Sequence, residues 1–288
     1  MLYIFYNSLS KIGTKKKKIF NILNKAVKTF NHNELHLNDI INIKDPYKII
    51  KELDQEKDVV LLVGGDGTLT NIANKICGLK NLPPIYAYKA GTGNDFLRSL
   101  KTIKETKIVN KHFYLINPYI EKLPIIKFNN NKMHFLNGIG LGIDAVISRD
   151  INEKKLTKNK VSFFKISVQN LKTFQPIKNI EIIIDDKFYK FNNVWFCSIM
   201  NGEYYGGGMK IAPNANRLGD TLKIIVINEI SKFKLLYLFP LVYTGKHINV
   251  SNVKILEGKK ITLKTSEKTS LQIDGESFND IDLVNVEK

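Results

Sequence analysis

The stretch VVLLVGGDGTLTNIANKI, Val59 to Ile76, joins a strand pattern to a helix pattern through a glycine loop. Five consecutive apolar residues open it, as expected for a parallel strand that is covered on both faces. After the loop, apolar residues recur at i, i+3, i+4 and i+7, beginning at Leu69 and ending at Ile76, which predicts a helix. The stretch therefore predicts one strand-to-helix unit of an α/β fold.

Strand and helix patterns alternate on both sides of this unit. Upstream, the apolar run Leu2 to Tyr6 precedes a helix with Ile19, Ile22 and Leu23 on one face. Downstream, the run PIYAY predicts a further strand, and KAGTGNDFLRSL leads into another helix. This order predicts an N-terminal α/β nucleotide-binding domain with a mostly parallel sheet.

From about residue 120 the pattern changes to short alternating runs separated by turn residues, such as KFYKF, VWFCSIM, KKITLKT and SLQID. Such runs are typical of an antiparallel β-sandwich, with one helix predicted near residues 160–174. We predict that the α/β domain covers residues 1–120 together with the tail 279–288. The β-sandwich domain is predicted to cover residues 121–278.

The chain is strongly basic: it has 44 Lys and Arg residues and 27 Asp and Glu residues, which gives a net charge of +17. Such a chain attracts nucleotides, nucleic acids or an anionic membrane, although solvated lysines alone would produce the same balance. No RNA-binding signature accompanies the charge, so we expect no nucleic-acid partner. Cys77 and Cys197 stand far apart in apolar segments, which predicts free thiols in a reducing cytoplasm.

The sequence predicts a cytoplasmic protein that touches a membrane from one side at most. The N-terminus has no basic leader, and the longest apolar stretch, residues 235–245, is too short to span a bilayer. Residues 231–248 predict a helix that either packs on the β domain, which we favour, or rests on an anionic membrane. The sequence is compatible with a homodimer and does not decide the oligomeric state.

The loop GGDGT has the composition of a phosphate site. Gly64, Gly65 and Gly67 would let a phosphate approach the N–H groups at the helix start, and Thr68 could donate its hydroxyl. Asp66 would repel phosphate unless a divalent cation lies between them, which indicates Mg²⁺ with a nucleotide. The alternative is a tight turn in which Asp66 caps the helix that follows it.

A second loop, AGTGNDF at residues 90–96, repeats this design after the next strand and supplies Thr92 and Asp95. The carboxyl ends of adjacent parallel strands lie at one edge of the sheet, where open α/β sheets bind ligands. Two aspartates beside two glycine loops therefore favour a metal–nucleotide site over two unrelated turns.

These motifs resemble those of the diacylglycerol kinase catalytic-domain family, which includes bacterial lipid kinases and the sphingosine and ceramide kinases. GGDGT also occurs in NAD kinases, whereas GTGNDFLR is similar to the more specific lipid-kinase motif GTxNDFAR. FLNGIGLGIDA, GGGMKIAPNA and LQIDGES match further motifs in the family's order and spacing. The chain is identified as a member of this family.

The resemblance implies a lipid kinase that uses ATP and Mg²⁺ and phosphorylates a lipid at the membrane surface, with diacylglycerol as the first choice. By motif, it assigns ATP binding to Asn7, Gly64, Gly65, Asp66, Gly67, Thr68 and Thr92. It assigns Mg²⁺ to Asp66 and Asp95, with Asp220 at a second, structural site. Asp274 or Glu276 would accept the hydroxyl proton, and the other would help to order the metal.

Several residues depart from the family pattern. The loop after Asn7 lacks the usual proline, Asn71 replaces a glutamate, and LGD at Asp220 reverses the usual Asp-Gly turn. From the residues alone, DGES is a hairpin turn, because Asp-Gly between β runs is a strong hairpin signal. The alternatives are an NAD kinase, or a non-catalytic regulator with the kinase fold that binds nucleotide or anionic lipid.

Overall fold

The computed structural model describes residues 1–10, 13–32, 34–43, 45–89, 94–156 and 163–288. The chain divides into two compact units, Met1–Leu123 and Pro124–Lys288. The first is an α/β unit whose strands are mostly parallel, and the second is rich in β structure. This confirms the predicted fold class.

The first unit contains a sheet with helices between its strands. The strands are β1 (Leu2–Tyr6), β2 (Leu35–Asp39), β3 (Val59–Gly64), β4 (Ile85–Lys89), β5 (Ile108–Val109) and β6 (Phe113–Leu115). The helices are α1 (Lys16–Phe30), α2 (Pro46–Lys51), α3 (Asp66–Ile76), α4 (Asp95–Leu100) and α5 (Asn117–Ile120). Within the described residues, the sheet order is β2-β1-β3-β4-β6-β5.

Strand β3 is the centre of this sheet. It pairs in parallel with β1 on one side and β4 on the other, and its residues from Val60 onward are buried. Ile22 and Ala26 of α1 pack on the same core as Leu61, which explains their helical spacing. Because β1, β3 and β4 run parallel, the loops that follow them leave the sheet at one edge.

The second unit is an antiparallel β structure with three α-helices among its described residues. The strands are β7 (Ile125–Phe128), β8 (Asn131–His134), β9 (Gly138–Gly142), β10 (Ile177–Ile184), β11 (Lys187–Met200), β12 (Leu222–Asn228), β13 (Val253–Gly258), β14 (Lys260–Ile273) and β15 (Glu276–Glu287). The helices are α6 (Ile143–Leu156), α7 (Phe163–Thr173) and α8 (Lys232–Thr244). A 3-10 turn, Lys246–Asn249, follows α8.

Two pairs of predicted short strands are in fact single long strands, β11 and β14. Each pairs with β10 over one half and with β9 over the other. The register of β11 shifts between Val194 and Phe196, and that of β14 between Lys264 and Thr269. The sequence patterns break at these bulges, because an extra residue reverses the alternation of faces.

The side chains of the long strands alternate between two cores. Along β12, Leu222 and Ile224 enter the central core of the β-rich unit. Ile225 and Ile227 enter a second core, which is covered by α8. This two-residue period is expected for a strand that is covered on both faces. No helix among the described residues is long and apolar enough to cross a bilayer.

The C-terminal tail belongs to the second unit, so its predicted place in the α/β domain is wrong. β15 pairs with β14 and, from Val284 to Glu287, with β7. Val284 and Val286 are buried in the central core of the β-rich unit. An alternating pattern indicates a strand but carries no information about which sheet that strand joins.

Candidate active site

Asp66 connects the GGDGT loop to the start of α4. Its carboxylate accepts the backbone N–H groups of Asp95 (Oδ2, 3.0 Å) and Phe96 (Oδ1, 3.0 Å). These are donors that the first turn of α4 leaves without helical partners. Asp66 therefore caps α4, a neighbouring helix, and not α3, in which it lies and which has no side-chain cap.

Asn94 and Asp95 complete this connection. Asn94 is buried, and its Nδ2 donates to the carbonyl oxygen of Gly64 over 3.2 Å. Asp95 is also buried, and its Oδ1 lies 3.8 Å from Nε of Arg98. The start of α4 is thus fastened to the end of β3 by both side chain and backbone. Thr92, predicted to bind ATP, lies outside the described residues.

The glycines of GGDGT differ in how much space a side chain would have at each position. A Cβ at Gly64 would lie 2.5 Å from Thr68, so α3 can pack against the end of β3 only if residue 64 is glycine. A Cβ at Gly65 or Gly67 would meet no atom within 4 Å, so packing does not explain these two glycines. The open space lies at the N-terminus of α3, where backbone donors and the helix dipole favour an anion.

Asn7 lies beside this loop, as predicted. It follows β1, the strand next to β3, and its Nδ2 donates to Oγ1 of Thr68 over 3.4 Å. Its Oδ1 accepts the backbone N–H of Leu9 over 2.9 Å, which fixes the amide orientation. The structure therefore brings together Asn7 and the GGDGT residues that were predicted to bind ATP.

Cationic side chains lie at the same edge of the sheet. Lys89 is the last residue of β4, and its pKa is lowered by desolvation and by the positive charges of Arg98 and Lys101. A bound phosphate would relieve this repulsion. Lys89 was not singled out in the sequence, although a basic residue at the end of a strand before a glycine loop is a usable signal.

Asp66 and Asp95 fit a Mg²⁺ ion that is completed by water and phosphate oxygens. Nucleotide-bound Mg²⁺ commonly uses one or two carboxylates from the protein. Each oxygen of Asp66 accepts one N–H bond and retains a second lone pair. Among the described residues, no three His, Cys, Asp or Glu side chains lie close enough together to hold a metal ion, so this part of the chain offers no fully protein-ligated metal site.

Asp220, predicted as a ligand of a structural Mg²⁺, is not part of such a group. It is exposed, and the positive charge near it is the ammonium of Lys288. Lys288 Nζ donates to the carbonyl oxygen of Arg217 over 2.8 Å and also to Asn201 Oδ1. Desolvation and Arg217 lower the pKa of Lys288 to about 8, while Asp220 opposes that change. A cation of the chain itself thus lies beside Asp220, which disfavours Mg²⁺ there.

The DGES motif forms a hairpin turn in the second unit. Ile273 of β14 pairs with Glu276 of β15, which leaves Asp274 and Gly275 as a two-residue loop. Both have positive φ angles, 48° and 90°, as a type I′ turn requires. The hairpin interpretation of this motif is therefore correct, and it does not exclude a catalytic role.

The two carboxylates of this turn have different surroundings. Asp274 accepts the backbone N–H groups of Leu136 (2.6 Å), Asn137 (2.8 Å) and Gly138 (3.1 Å). These bonds engage both of its oxygens and hold the turn against the start of β9 and the two residues before it. Glu276, in contrast, is exposed at the start of β15. Asp274 is an anchor, whereas Glu276 is accessible to a substrate.

The peptide groups of Gly275 are held by three side chains that sequence analysis did not identify. Ser148 Oγ and Asn152 Nδ2, one helical turn apart on α6, donate to its carbonyl oxygen over 2.9 and 2.7 Å. Gln272 Oε1 accepts its N–H over 2.9 Å. The i, i+4 spacing of Ser148 and Asn152 becomes meaningful only once α6 is known to lie beside the turn.

Gln272 also links the turn to Asp144. The Oδ2 atom of Asp144 accepts the hydroxyl of Tyr205 over 2.7 Å and the amide of Gln272 over 3.4 Å. Asp144 is partly exposed as a residue, but its Oδ1 is buried, and desolvation raises the pKa of the carboxyl to about 7. Gly140 lies so close that a Cβ there would sit 1.8 Å from Oδ2, which explains this glycine of the GIGLGIDA motif.

Replacement of Asp144 by Asn should remove a pH-dependent part of the free energy of unfolding. The pKa of this group is about 7 in the folded protein, against an ordinary value of 3.8. Between these values the folded state holds a proton that the unfolded state has released. The wild type should therefore lose about 1.4 kcal/mol of stability per pH unit from this group as pH rises. Urea unfolding between about pH 5 and pH 7 measures this slope, and an equal slope in D144N would contradict the assignment.

The fold and the site define a class of protein. A mostly parallel sheet, in which Asp66 of the GGDGT loop caps α4, precedes a β-rich unit that carries an anchored Asp-Gly-Glu hairpin. This is the two-part architecture expected of the lipid kinase and NAD kinase fold class.

Comparison with known proteins gives the family. The diacylglycerol kinase catalytic domain model matches residues 1–123, and the YegS C-terminal NAD kinase beta sandwich-like domain model matches residues 137–286. The chain belongs to the diacylglycerol kinase catalytic-domain family and carries the YegS-type C-terminal domain.

Relatives in Bacillus span most of the chain. "Diacylglycerol kinase" of Bacillus subtilis is 24% identical over 95% of this chain and 88% of its own length. "Putative lipid kinase YtlR" of the same organism is 29% identical over 75% of this chain and 73% of its own length. A crystal structure of a "putative diacylglycerol kinase from Bacillus anthracis" has a TM-score of 0.70 at 20% identity, covering 100% of this chain and 92% of that one. The structural likeness confirms the fold.

Proposed function

We propose that the protein is a lipid kinase that uses ATP and Mg²⁺, with diacylglycerol as the acceptor and phosphatidic acid as the product. The observation that carries this proposal is the contrast in the DGES turn, where Asp274 is anchored by three N–H groups and Glu276 is exposed. The family and the relatives named diacylglycerol kinase support the choice of acceptor. We expect the protein to act in the cytoplasm, at the inner face of the membrane.

The first unit binds the nucleotide in this proposal. The open N-terminus of α3 at Gly65 and Gly67 takes the phosphates, with Asn7 and Thr68 beside it. Lys89 and Arg98 add positive charge at the end of β4. Asp66 and Asp95 would hold Mg²⁺, which when bound offsets negative charge on the phosphoryl oxygens.

The second unit supplies the base for the acceptor. Glu276 takes the proton of the lipid hydroxyl while the hydroxyl oxygen forms a bond to the γ-phosphorus. The bond between that phosphorus and the β,γ-bridging oxygen breaks, and ADP leaves. Asp274, Gln272, Ser148 and Asn152 keep the turn in one position, as a base with a defined distance to its substrate requires.

One assay separates this function from its alternatives. The purified protein is incubated with γ-labelled ATP and Mg²⁺ and offered diacylglycerol, phosphatidylglycerol, sphingosine or NAD. We expect label in diacylglycerol first, and no transfer when Mg²⁺ is removed with a chelator. Label in NAD alone would overturn the lipid-kinase proposal. Nucleotide binding without label in any acceptor would favour a non-catalytic regulator.

A further inference from the structure

Helix α8 is apolar on two opposite sides. Leu238 and Val242 are buried in the core beneath it, as expected for a helix that packs on the β domain. On the other side, Phe233 is 86% exposed, Tyr237 is 67% exposed and Leu236 is 41% exposed. A helix that is apolar all round is normally buried on all sides. The outer side of α8 therefore has the composition of a contact surface.

The exposed apolar residues form one continuous stripe. Phe233, Leu236, Tyr237 and Pro240 are spaced i, i+3, i+4 and i+7, so they lie in line along the helix. We call these four residues the α8 stripe. Scattered apolar residues are normal on a protein surface, whereas a contiguous group indicates an interaction site.

The surroundings of the stripe are positively charged. Lys232 and Lys234 flank Phe233, the first residue of the stripe, and Lys246 follows the stripe; no Asp or Glu occurs between Ile230 and Leu256. Lys232 Nζ donates to the Lys172 carbonyl over 2.9 Å, and Lys234 Nζ to Asn252 Oδ1 over 2.7 Å. These contacts hold both ammonium groups near the helix start. An acidic surface complements this charge, whereas a second copy of a chain of net charge +17 would be repelled.

We propose that the α8 stripe docks on the surface of an anionic lipid bilayer. Phe233, Leu236 and Tyr237 enter the boundary between headgroups and acyl chains, where aromatic side chains are favoured. The ammonium groups of the lysines are attracted to the lipid phosphates, and dissolved salt weakens this attraction. The inference rests on the proposed function in that a lipid kinase must reach a substrate in the bilayer, but docking itself requires no turnover.

Sedimentation with vesicles tests the proposal directly. The full chain is mixed with vesicles of phosphatidylcholine alone, or with about 30% phosphatidylglycerol added to make the surface anionic. We expect binding to the anionic vesicles that weakens as salt is raised. The double variant Phe233→Ala/Tyr237→Ala should lose binding by about tenfold or more, because two large apolar groups no longer enter the bilayer.

Two measurements separate a local effect from a general one. Phe188 of β11 is an exposed aromatic of the same unit that lies outside α8, so Phe188→Ala should bind vesicles as the wild type does. Trp195 is the single tryptophan of the chain and is buried in the core beneath α8. Its fluorescence spectrum should be unchanged in the double variant, which shows that α8 remains packed.

The outcomes are distinct for docking and for catalysis. Equal vesicle binding by the wild type and the double variant would overturn the docking proposal. So would a concentration-dependent dimer, seen by light scattering, that the double variant alone loses. Transfer to short-chain diacylglycerol in detergent should be similar in both proteins, because no bilayer is needed there. Absence of that transfer with vesicle binding intact would overturn the proposed kinase function and leave docking supported.

Discussion

Replacing Glu276 by Gln should lower the rate of phosphoryl transfer by about a thousandfold, the usual contribution of a positioned general base. Gln keeps the size of the side chain and its hydrogen bonds with an acceptor, but it cannot take up the hydroxyl proton. Glu276 is exposed, so the change should leave the free energy of unfolding almost the same. The measurements are kcat at saturating ATP and the Kd of ATP, and only kcat should change.

The second hairpin of the β-rich unit provides a matched control for Asp274. Asp185 and Asp186 form a two-residue turn between β10 and β11, with φ angles of 45° and 70°. The carboxylate of Asp185 accepts the N–H groups of Lys259 and Lys260, as that of Asp274 accepts those of residues 136–138. Asp185 is exposed, and one Asn oxygen could still accept both N–H groups, so Asp185→Asn should cost no more than about 1 kcal/mol of stability, without loss of transfer.

Comparison of these variants locates the base. If Asp274 is an anchor, Asp274→Asn should lose more stability than Asp185→Asn, because the N–H of Leu136 donates to the second oxygen and loses its partner. It should also lose activity because the turn moves. If Glu276→Gln keeps wild-type kcat while Asp274→Asn abolishes transfer, Glu276 is not the base and the proton goes to Asp274. Retained folding of Asp274→Asn, checked by its unfolding transition, is required for either conclusion.

Local features of the chain were predictable from sequence, because neighbouring residues determine them. The buried strand β3, the helix α3 and the Asp-Gly turn each follow from a few adjacent residues. Their partners were not predictable in the same way. The cap that Asp66 places on α4 joins residues 29 positions apart, and the bonds from Leu136 to Asp274 span 138 positions. Such pairs depend on sheet order, which no local period contains.

The errors at the second unit have the same origin. The break in alternation within β11 predicts two strands, although a bulge lets one strand continue and change partner. The tail 279–288 has the pattern of a strand, but only its pairing with β14 and β7 shows its sheet. Ser148 and Asn152 hold Gly275 from α6, a helix that the sequence patterns did not indicate.

Replacing Asp66 by Asn should affect both stability and transfer, because this carboxylate caps α4 and, in the proposed function, also holds Mg²⁺. Asn offers one acceptor oxygen where Asp66 offers two, so either Asp95 N–H or Phe96 N–H loses its partner at the start of α4. The expected cost is about 1 kcal/mol of unfolding free energy, as for a weakened N-cap. Loss of the proposed Mg²⁺ carboxylate should lower kcat by at least about a hundredfold.

A substitution at Asp45 separates the effect on stability from the effect on transfer. It caps α2 by accepting the N–H of Tyr47 over 3.1 Å, in the same unit but outside the proposed site. Asp45→Ala, which removes this single capping oxygen, should therefore lose similar stability, measured by urea unfolding, and keep wild-type transfer. Raising the Mg²⁺ concentration should restore part of the activity of Asp66→Asn, and none of that of Glu276→Gln, because only the former weakens metal binding. If Asp66→Asn loses stability as Asp45→Ala does but retains wild-type turnover and Mg²⁺ dependence, Asp66 is a helix cap alone and the metal site must be placed elsewhere.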